Sequence, residues 1–370
     1  MEEIPVLTAG GEYRVYVGNL LYEGILVDIL GEREPVKLVV VSQPAVMELY
    51  ACRLLEALGS LAPAGKEPIV FTFPEGEEHK NLETLEEGYS FLLQREVNRE
   101  DIILAFGGGV VGDLAGFLAS SFLRGIRYVQ LPTTLMAMVD SAIGGKVGVD
   151  LPGAKNAVGA FYQPGAVICD IDVLRTLPAR ELKSGLAEVA KYGFLYDQGL
   201  LKEMESWKNG LPQRETDLSG IVARCVGHKA RVVSVDERDV SGERAMLNYG
   251  HTFGHALESS TGYRLLRHGE AVAVGMIMAA RAAELAGLAD TDLAFEHKKV
   301  LMPLVEGLKV PDEFDLEKAL KDMRADKKRG KEVRFILLEG PQKPRLVGSL
   351  PESVVREAME EILEDLRRAD

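Results

Sequence analysis

The chain has 370 residues, of which 46% are hydrophobic and 27% charged, and a formal net charge of −14. That length exceeds one ordinary core, so two domains are expected, and the balance is that of a soluble globular protein. The acidity argues against a duplex-binding surface, though it leaves room for a local basic pocket that takes a small anion. The three cysteines, Cys52, Cys169 and Cys225, lack metal-ligand spacing and fit a reducing, cytoplasmic setting. The opening MEEIPVLTAG has no apolar signal core, and the longest apolar runs, such as residues 271–280, stop short of a membrane span.

Strands are expected over residues 37–42, 69–73, 102–106, 128–131 and 167–170. Helices are expected between them, ending near Leu58 and over residues 81–94 and 110–122. Hydrophobic strands alternating with helices predict a parallel, Rossmann-like sheet covered on both faces, with ligands at the strands' carboxyl ends. Residues 133–163 read as a long glycine-rich loop that lines a site. From Pro178 onward helix follows helix, with loops near Gly210 and Ser241 and one strand pair near residues 333–338. The expected division is an α/β domain over 1–177 and an all-α domain over 178–370.

The densest chemistry lies in residues 248–270, NYGHTFGHALESSTGYRLLRHGE, which hold three of the six histidines. His251 and His255 are four apart and share one helical face, and His268 follows a Gly-Tyr break that lets it fold back. A carboxylate is needed to complete a three-ligand, open zinc-type site. Glu188, in GLAEVAK, sits in an apolar helix where a carboxylate is costly to bury unless paired or metal-bound. Lys191, one turn on, offers the plainer alternative of an ion pair. Spacing alone does not say which two histidines join Glu188, and a core or capping role is the common fate of any single histidine.

Gly107-Gly108-Gly109-Val110-Val111-Gly112 fits G-x-G-x-x-G between a strand and a helix, a build that brings backbone amides to a pyrophosphate. No acidic residue stands about twenty positions on, so a merely tight turn is the alternative. Asp113 is either a helix-start charge or a ligand contact. EGEEHK, with Glu75, Glu77 and Lys80, follows the second expected strand and can hold a ribose or nicotinamide, or is a solvated charge run. Asp140, Lys146, Lys155 and Asn156, with Arg124 and Arg127 upstream, can gather around a phosphate or carboxylate. A solvated loop is the alternative there. Arg244 and residues 326–328 carry further charges that can reach an anion or simply face solvent.

Taken together, FGGGVVGDLAGF, LPTTLMAMVDSAIGGKVGVD, AKNAVGAFYQP, GLAEVAKYG, LNYGHTFGHALE and HGEAVAVGM closely resemble the 3-dehydroquinate synthase family, in order and over nearly the whole chain. The resemblance implies an N-terminal NAD-binding α/β domain, a C-terminal helical metal-binding domain, and an active site in the cleft between them. It implies Glu188, His251 and His268 as ligands of a divalent ion, Zn2+ or Co2+, with His255 a substrate contact. NAD+ contacts would come from Glu77, Lys80, Gly108, Gly109, Val110, Val111, Gly112, Asp113, Thr133, Thr134, Val173, Leu174, Arg175 and Thr176. Substrate contacts would come from Asp140, Lys146, Lys155, Asn156, Lys191, Lys229, Arg244, Asn248 and His255, with Lys327 or Lys328 adding a late one. The family is a cytoplasmic homodimer in which Arg124 reaches the phosphate end of the substrate in the partner's site. Three positions depart from the family pattern. Ser42-Gln43 stands where a Thr-Asp pair holds the adenosine ribose, Met138 replaces a common Gln, and Asp150 replaces an Asn.

By the same resemblance the expected reaction turns 3-deoxy-D-arabino-heptulosonate 7-phosphate into 3-dehydroquinate. It proceeds by transient oxidation, phosphate elimination, re-reduction, ring opening and aldol closure. No net redox change results, and no nucleic acid or membrane is involved. The alternatives are a sister sugar phosphate cyclase of valiolone or inosose type and a metal-dependent polyol dehydrogenase.

Overall fold

The computed structural model describes residues 1–22, 24–31, 37–59, 67–213, 216–262, 265–308, 314–328 and 334–368; the side chains of Lys327 and Lys328 lie outside the described residues. The strands are β1 (Glu2–Thr8), β2 (Gly11–Gly18), β3 (Leu38–Ser42), β4 (Ile69–Thr72), β5 (Ile102–Gly107), β6 (Arg127–Pro132), β7 (Lys146–Leu151), β8 (Ala154–Phe161), β9 (Ala166–Asp170), β10 (Phe335–Leu338) and β11 (Pro344–Val347). The helices are α1 (Ile25–Gly31), α2 (Pro44–Gly59), α3 (Leu82–Gln94), α4 (Gly109–Ser121), α5 (Ala179–Leu195), α6 (Gln198–Glu205), α7 (Ser219–Val235), α8 (His251–Ser260), α9 (His268–Leu285), α10 (Leu293–Val305), α11 (Leu316–Lys328) and α12 (Glu352–Arg368).

The chain forms two units, Met1–Leu177 with Asp217–Arg238, and Pro178–Thr216 with Asp239–Asp370. In the first, seven strands run in the order β1-β2-β9-β6-β5-β3-β4. All neighbours pair in parallel except β1 with β2. Every residue of β3, β5 and β9 is buried, as continuous apolar strands covered on both faces require.

Three expectations are corrected here. The sheet begins with the β1–β2 hairpin, ahead of the expected first strand. Its buried residues Val6, Tyr13, Val15 and Val17 alternate with exposed ones, the signature of a half-buried strand. Residues 133–163 are not a plain loop, because β7 and β8 form an antiparallel hairpin there. Its glycines serve strand pairing: Gly148 faces Gly159, and a Cβ on Gly159 would sit 2.2 Å from Val147 O. Finally, a single boundary at 177/178 does not describe the division. Helix α7 belongs to the first unit because its apolar face, including Ile221, Val222, Val226 and Val233, packs on β1 and β2.

The second unit is built on α9, whose sequence HGEAVAVGMIMAARAAEL is apolar all round and buried along almost its whole length. Helices α5, α8, α10 and α12 pack against it. The crossings are close because small residues sit at them. A Cβ on Gly275 of α9 would lie 2.1 Å from Gly250 O, just before α8, and one on Gly269 would lie 2.0 Å from Ser184 O of α5. Gly250 itself has φ 81, a left-handed conformation that ends the preceding turn and starts α8.

Candidate metal, nucleotide and anion groups

Three helices of the second unit each bring one donor to a single place. Glu188 on α5, His251 at the start of α8 and His268 at the start of α9 present donor atoms all within 4.8 Å of one another. Glu188 Oε1 is 3.8 Å from His251 Nε2 and 3.9 Å from His268 Nε2. Arg180 on α5 clamps Glu270 on α9 with two hydrogen bonds of 2.6 and 2.8 Å, which ties the end of α9 that carries His268 to α5.

The electrostatics suit a cation. Glu188 is fully buried. Its Oε2 pairs with the Lys191 ammonium, yet neither carboxylate oxygen receives a well-directed hydrogen bond. Burial first, then the Lys191 charge and the two neighbouring imidazoles, hold His251 well below the ordinary histidine range, so its ring is neutral with a lone pair to give. Ligands of a tetrahedral zinc-type ion, at about 2.1 Å from it, stand roughly 3.4 Å apart. The two separations from Glu188 Oε1 exceed that by about 0.4–0.5 Å, so a small closure fits the donor set to a divalent ion.

His255 joins the group differently. It is exposed, one turn after His251, with its ring centroid 5.6 Å from that of His251 and 6.1 Å from that of His268. Arg244 is buried and Asn248 exposed, at the two ends of the helical turn Arg244–Asn248 before α8. The spacing of the sequence does not single out Glu258, which is buried with Oε2 3.5 Å from His268 Nδ1. The signal was present: His251, His255 and Glu258 follow the i, i+4, i+7 pattern of one helix face.

In the first unit the glycine-rich turn opens α4. The first helical hydrogen bond there runs from Gly112 N to Gly108 O, so the amides of Gly109, Val110 and Val111 precede it at an N-terminus with no side-chain cap. Gly107 and Gly112 are also needed for packing, since a Cβ there would meet Val111 at 2.4 Å and Gln130 at 2.8 Å. The glycines thus divide, some serving close packing and others leaving the helix start uncapped.

Lys80 is the hub beside that turn. Its ammonium lies 2.6 Å from Glu77, 3.2 Å from Asp113 and 2.9 Å from Asn156 Oδ1, with Asp150 at 3.9 Å. Burial opposes its charge, but Asp113 and Glu77 outweigh that and raise its pKa. Burial pushes Asp113 up to about 6 against the pull of Lys80. Asn156 has φ 51 and takes a 2.6 Å bond from its amide to Asp150, the residue that departs from the family pattern.

Other expected contacts are spread out. Lys146 opens β7 opposite Phe161, whereas Lys155 and Asn156 lie near the turn of the same hairpin. The two ends are about 13 Å apart along the strand, a separation that long lysine side chains must span for these groups to meet. Lys229 on α7 is buried and donates to Asp140 at both the carbonyl (2.6 Å) and the carboxylate (2.5 Å). Asp140 rides a single π-helical turn, and Thr134 caps that turn through Ala137 N. Thr133 is buried and bonds Gly107 O through its amide. Glu75 accepts from Ala45 N at the start of α2, and Gln43 donates to Pro74 O. Val173 and Leu174 are buried in the protein's own core, Tyr50 binds Val173 O and Thr176, and Arg175 pairs with Asp172. Arg124 is exposed and held at φ 65, between Leu123 at φ 48 and Gly125 at φ 116. Among the described residues no helix is long and apolar enough to cross a membrane.

An α/β unit and a helical unit of these kinds recur in a solved 2-deoxy-scyllo-inosose synthase complexed with carbaglucose-6-phosphate, NAD+ and Co2+. It matches with a TM-score of 0.85 at 27% identity, over 97% of this chain and 100% of that one. The fold is that of the sugar phosphate cyclases. Residues 70–184 match the family model of the 3-dehydroquinate synthase N-terminal region, and residues 185–329 that of the C-terminal region. A 3-dehydroquinate synthase from Bordetella pertussis is 41% identical over 367 residues, 97% of this chain and 99% of that protein. One from Pelobacter propionicus is 52% identical over 246 residues, 66% of this chain and 67% of that protein. The chain belongs to the 3-dehydroquinate synthase family.

Proposed function

We propose that the chain converts 3-deoxy-D-arabino-heptulosonate 7-phosphate into 3-dehydroquinate and inorganic phosphate, a step of the shikimate pathway. The observation that carries this reading is the convergence of Glu188, His251 and His268 in a chain of this family. Those three residues hold a divalent ion, zinc or cobalt, which when bound polarises adjacent substrate hydroxyls. NAD+ is held by Glu75, Glu77, Lys80, Thr133, Thr134, the turn from Gly108 to Asp113, and Arg175 and Thr176, with Lys146 and Lys155 beside it, and it supplies a hydride acceptor that is restored in each cycle.

The chain's own groups do the placing. His251 stays neutral because burial and Lys191 disfavour its protonation. Lys80 binds Asn156 Oδ1, which turns the amide nitrogen of Asn156 outward to donate to an anion. Lys146, Lys155, Asn156 and Arg124 take the phosphate, Arg124 acting in the partner's site of a homodimer. Arg244, Asn248 and Lys191 take the carboxylate and hydroxyls. Lys229 anchors Asp140 through its carbonyl and its carboxylate and is itself a substrate contact. His255, exposed beside the two candidate ligands, moves a proton at the reacting hydroxyls. The enzyme works in the cytoplasm.

The test is a paired assay of purified protein with NAD+, Zn2+ or Co2+, and the heptulosonate phosphate, following phosphate and NADH together. Phosphate release with no NADH accumulation is expected, and Glu188→Ala and His268→Ala abolish it. NADH accumulating without phosphate would make the protein a polyol dehydrogenase. Phosphate release from sedoheptulose 7-phosphate or glucose 6-phosphate alone would make it a valiolone- or inosose-type cyclase, the class of the solved structure above.

A further inference from the structure

We propose that Glu258 is a positioning residue for the metal site: its carboxylate takes the Nδ1 proton of His268 and so fixes the ring with its Nε2 lone pair toward Glu188. This rests on the reading of Glu188, His251 and His268 as the ion's ligands.

The imidazole of His268 stands between two carboxylates. Its Nδ1 is 3.5 Å from Glu258 Oε2 and its Nε2 is 3.9 Å from Glu188 Oε1. A neutral imidazole has one N–H and one lone pair, so whichever acceptor takes the proton decides which nitrogen can bind a cation. His251 settles the same question with a backbone group. Its Nδ1 is 3.2 Å from Tyr249 O, which can only accept, and its Nε2 faces Glu188 Oε1 at 3.8 Å. Both rings therefore turn Nδ1 to an acceptor and Nε2 to the same carboxylate oxygen.

The acceptors differ in charge, and the difference matches the exposure of the rings. The side chain of His251 is 11% exposed and walled in, while that of His268 is 38% exposed. The more exposed ring is the one given an anionic partner, which both restrains it and raises its basicity as a ligand. Glu258 is itself only 3% exposed, a costly place for a carboxylate without a cationic or N–H partner. Its position on α8 follows from the helix repeat, since residues 251, 255 and 258 share a face.

His255, Glu258 and His268 also have donor atoms within 4.8 Å of one another. A second ion held there would need the last proton of the His268 ring, with both nitrogens metal-bound. A proton on Nδ1 with Glu258 as acceptor avoids that cost, so the positioning role is favoured over a ligand role.

The experiment is a Co2+ titration of the chelator-stripped full chain, read by its visible spectrum and by competition with a chromophoric chelator. Wild type, Glu258→Gln, Glu258→Ala and Glu188→Ala are compared, with the melting temperature of each apoprotein as the folding control. Wild type is expected to bind one equivalent. Glu258→Ala weakens binding by about 10- to 100-fold while its apoprotein remains folded, and Glu258→Gln, which keeps an uncharged oxygen acceptor, loses less. Should Glu258→Ala fail to fold, Glu258→Gln decides the matter by a measurable loss of affinity. Wild-type affinity in the folded Glu258 variants, with binding lost in Glu188→Ala, overturns the role of Glu258 and leaves the three-ligand site standing. Two equivalents in wild type and one in Glu258→Ala would make Glu258 a ligand and overturn the positioning role. Unchanged binding in Glu188→Ala overturns the site and Glu258's role with it.

Discussion

Gly269 of α9 stands directly against Ser184 of α5, and Gly269→Ala tests whether that crossing sets the candidate metal site. A methyl there would lie 2.0 Å from Ser184 O and 2.6 Å from Ser184 Cα. Carbon and carbonyl oxygen in contact stand about 3.3 Å apart, so relief needs roughly 1.3 Å of separation between the helices. The bond from Gly269 N to Ser184 Oγ, now 3.1 Å, is stretched by the same movement. His268 adjoins Gly269, and Glu188 is one turn beyond Ser184, so the displacement falls on a pair already 3.9 Å apart. Functional sites hold their geometry to about 0.5 Å. Overpacking of this kind costs about 1–3 kcal/mol, which lowers the melting temperature by roughly 2–12 °C. Divalent-ion affinity is expected to fall by about tenfold or more and turnover by about 100-fold. Thermal unfolding of the apoprotein and Co2+ titration measure the two effects. Gly227→Ala is the control: it lies inside α7, its Cβ would meet nothing within 4 Å, and it should stabilise by about 0.5–1 kcal/mol without touching ion binding. A Gly269→Ala protein that melts and binds Co2+ like wild type would refute the argument.

His297 makes a pH prediction. Burial lowers its pKa from 6.5 to about 4, so between those values the unfolded chain binds a proton that the folded chain refuses. Its contribution is fully present above pH 6.5 and is lost as pH falls toward 4, about 3 kcal/mol in all. Denaturant melts at pH 7 and pH 4 should show wild type losing that much more stability than His297→Gln; parallel losses would exclude the effect. Asp140→Asn takes the carboxylate from buried Lys229 and should lower stability by about 1.5–3 kcal/mol, with substrate turnover falling as well. Equilibrium unfolding at pH 7 checks the first effect, and an unchanged midpoint would show that the Asp140 carbonyl alone suffices for Lys229.

The parallel sheet was legible because its strands are runs of β-branched residues between helices, a pattern that local reading detects. What escaped local reading depends on partners distant in sequence. Nothing within α7 says that its apolar face belongs on β1 and β2 rather than among the helices that precede and follow it. The β7–β8 hairpin is disguised because glycines usually mark loops, yet Gly148 and Gly159 are glycine so that two strands can close on each other. The β1–β2 hairpin did carry an alternating pattern with a Thr-Ala-Gly-Gly turn, and it is the one element that a stricter count of alternation would have found.

The same division runs through the candidate site. Glu188, His251 and His268 stand out by residue type, but their spacing leaves open which imidazoles meet the carboxylate, because that is decided by how three helices cross. The crossings are set by residues that carry no chemistry: Gly250, Gly254 and Gly275 let α8 and α9 touch, and Gly269 lets α9 touch α5. His255, one turn along α8, stays exposed although Gly254 beside it packs on α9, so neighbours in sequence do not share a fate across the crossing. Read this way, the glycines in NYGHTFGHALE and HGEAVAVGM specify the geometry and the histidines beside them specify the donors. Replacing a glycine at a crossing should therefore damage ion binding as surely as replacing a ligand, though through packing rather than through a lost bond.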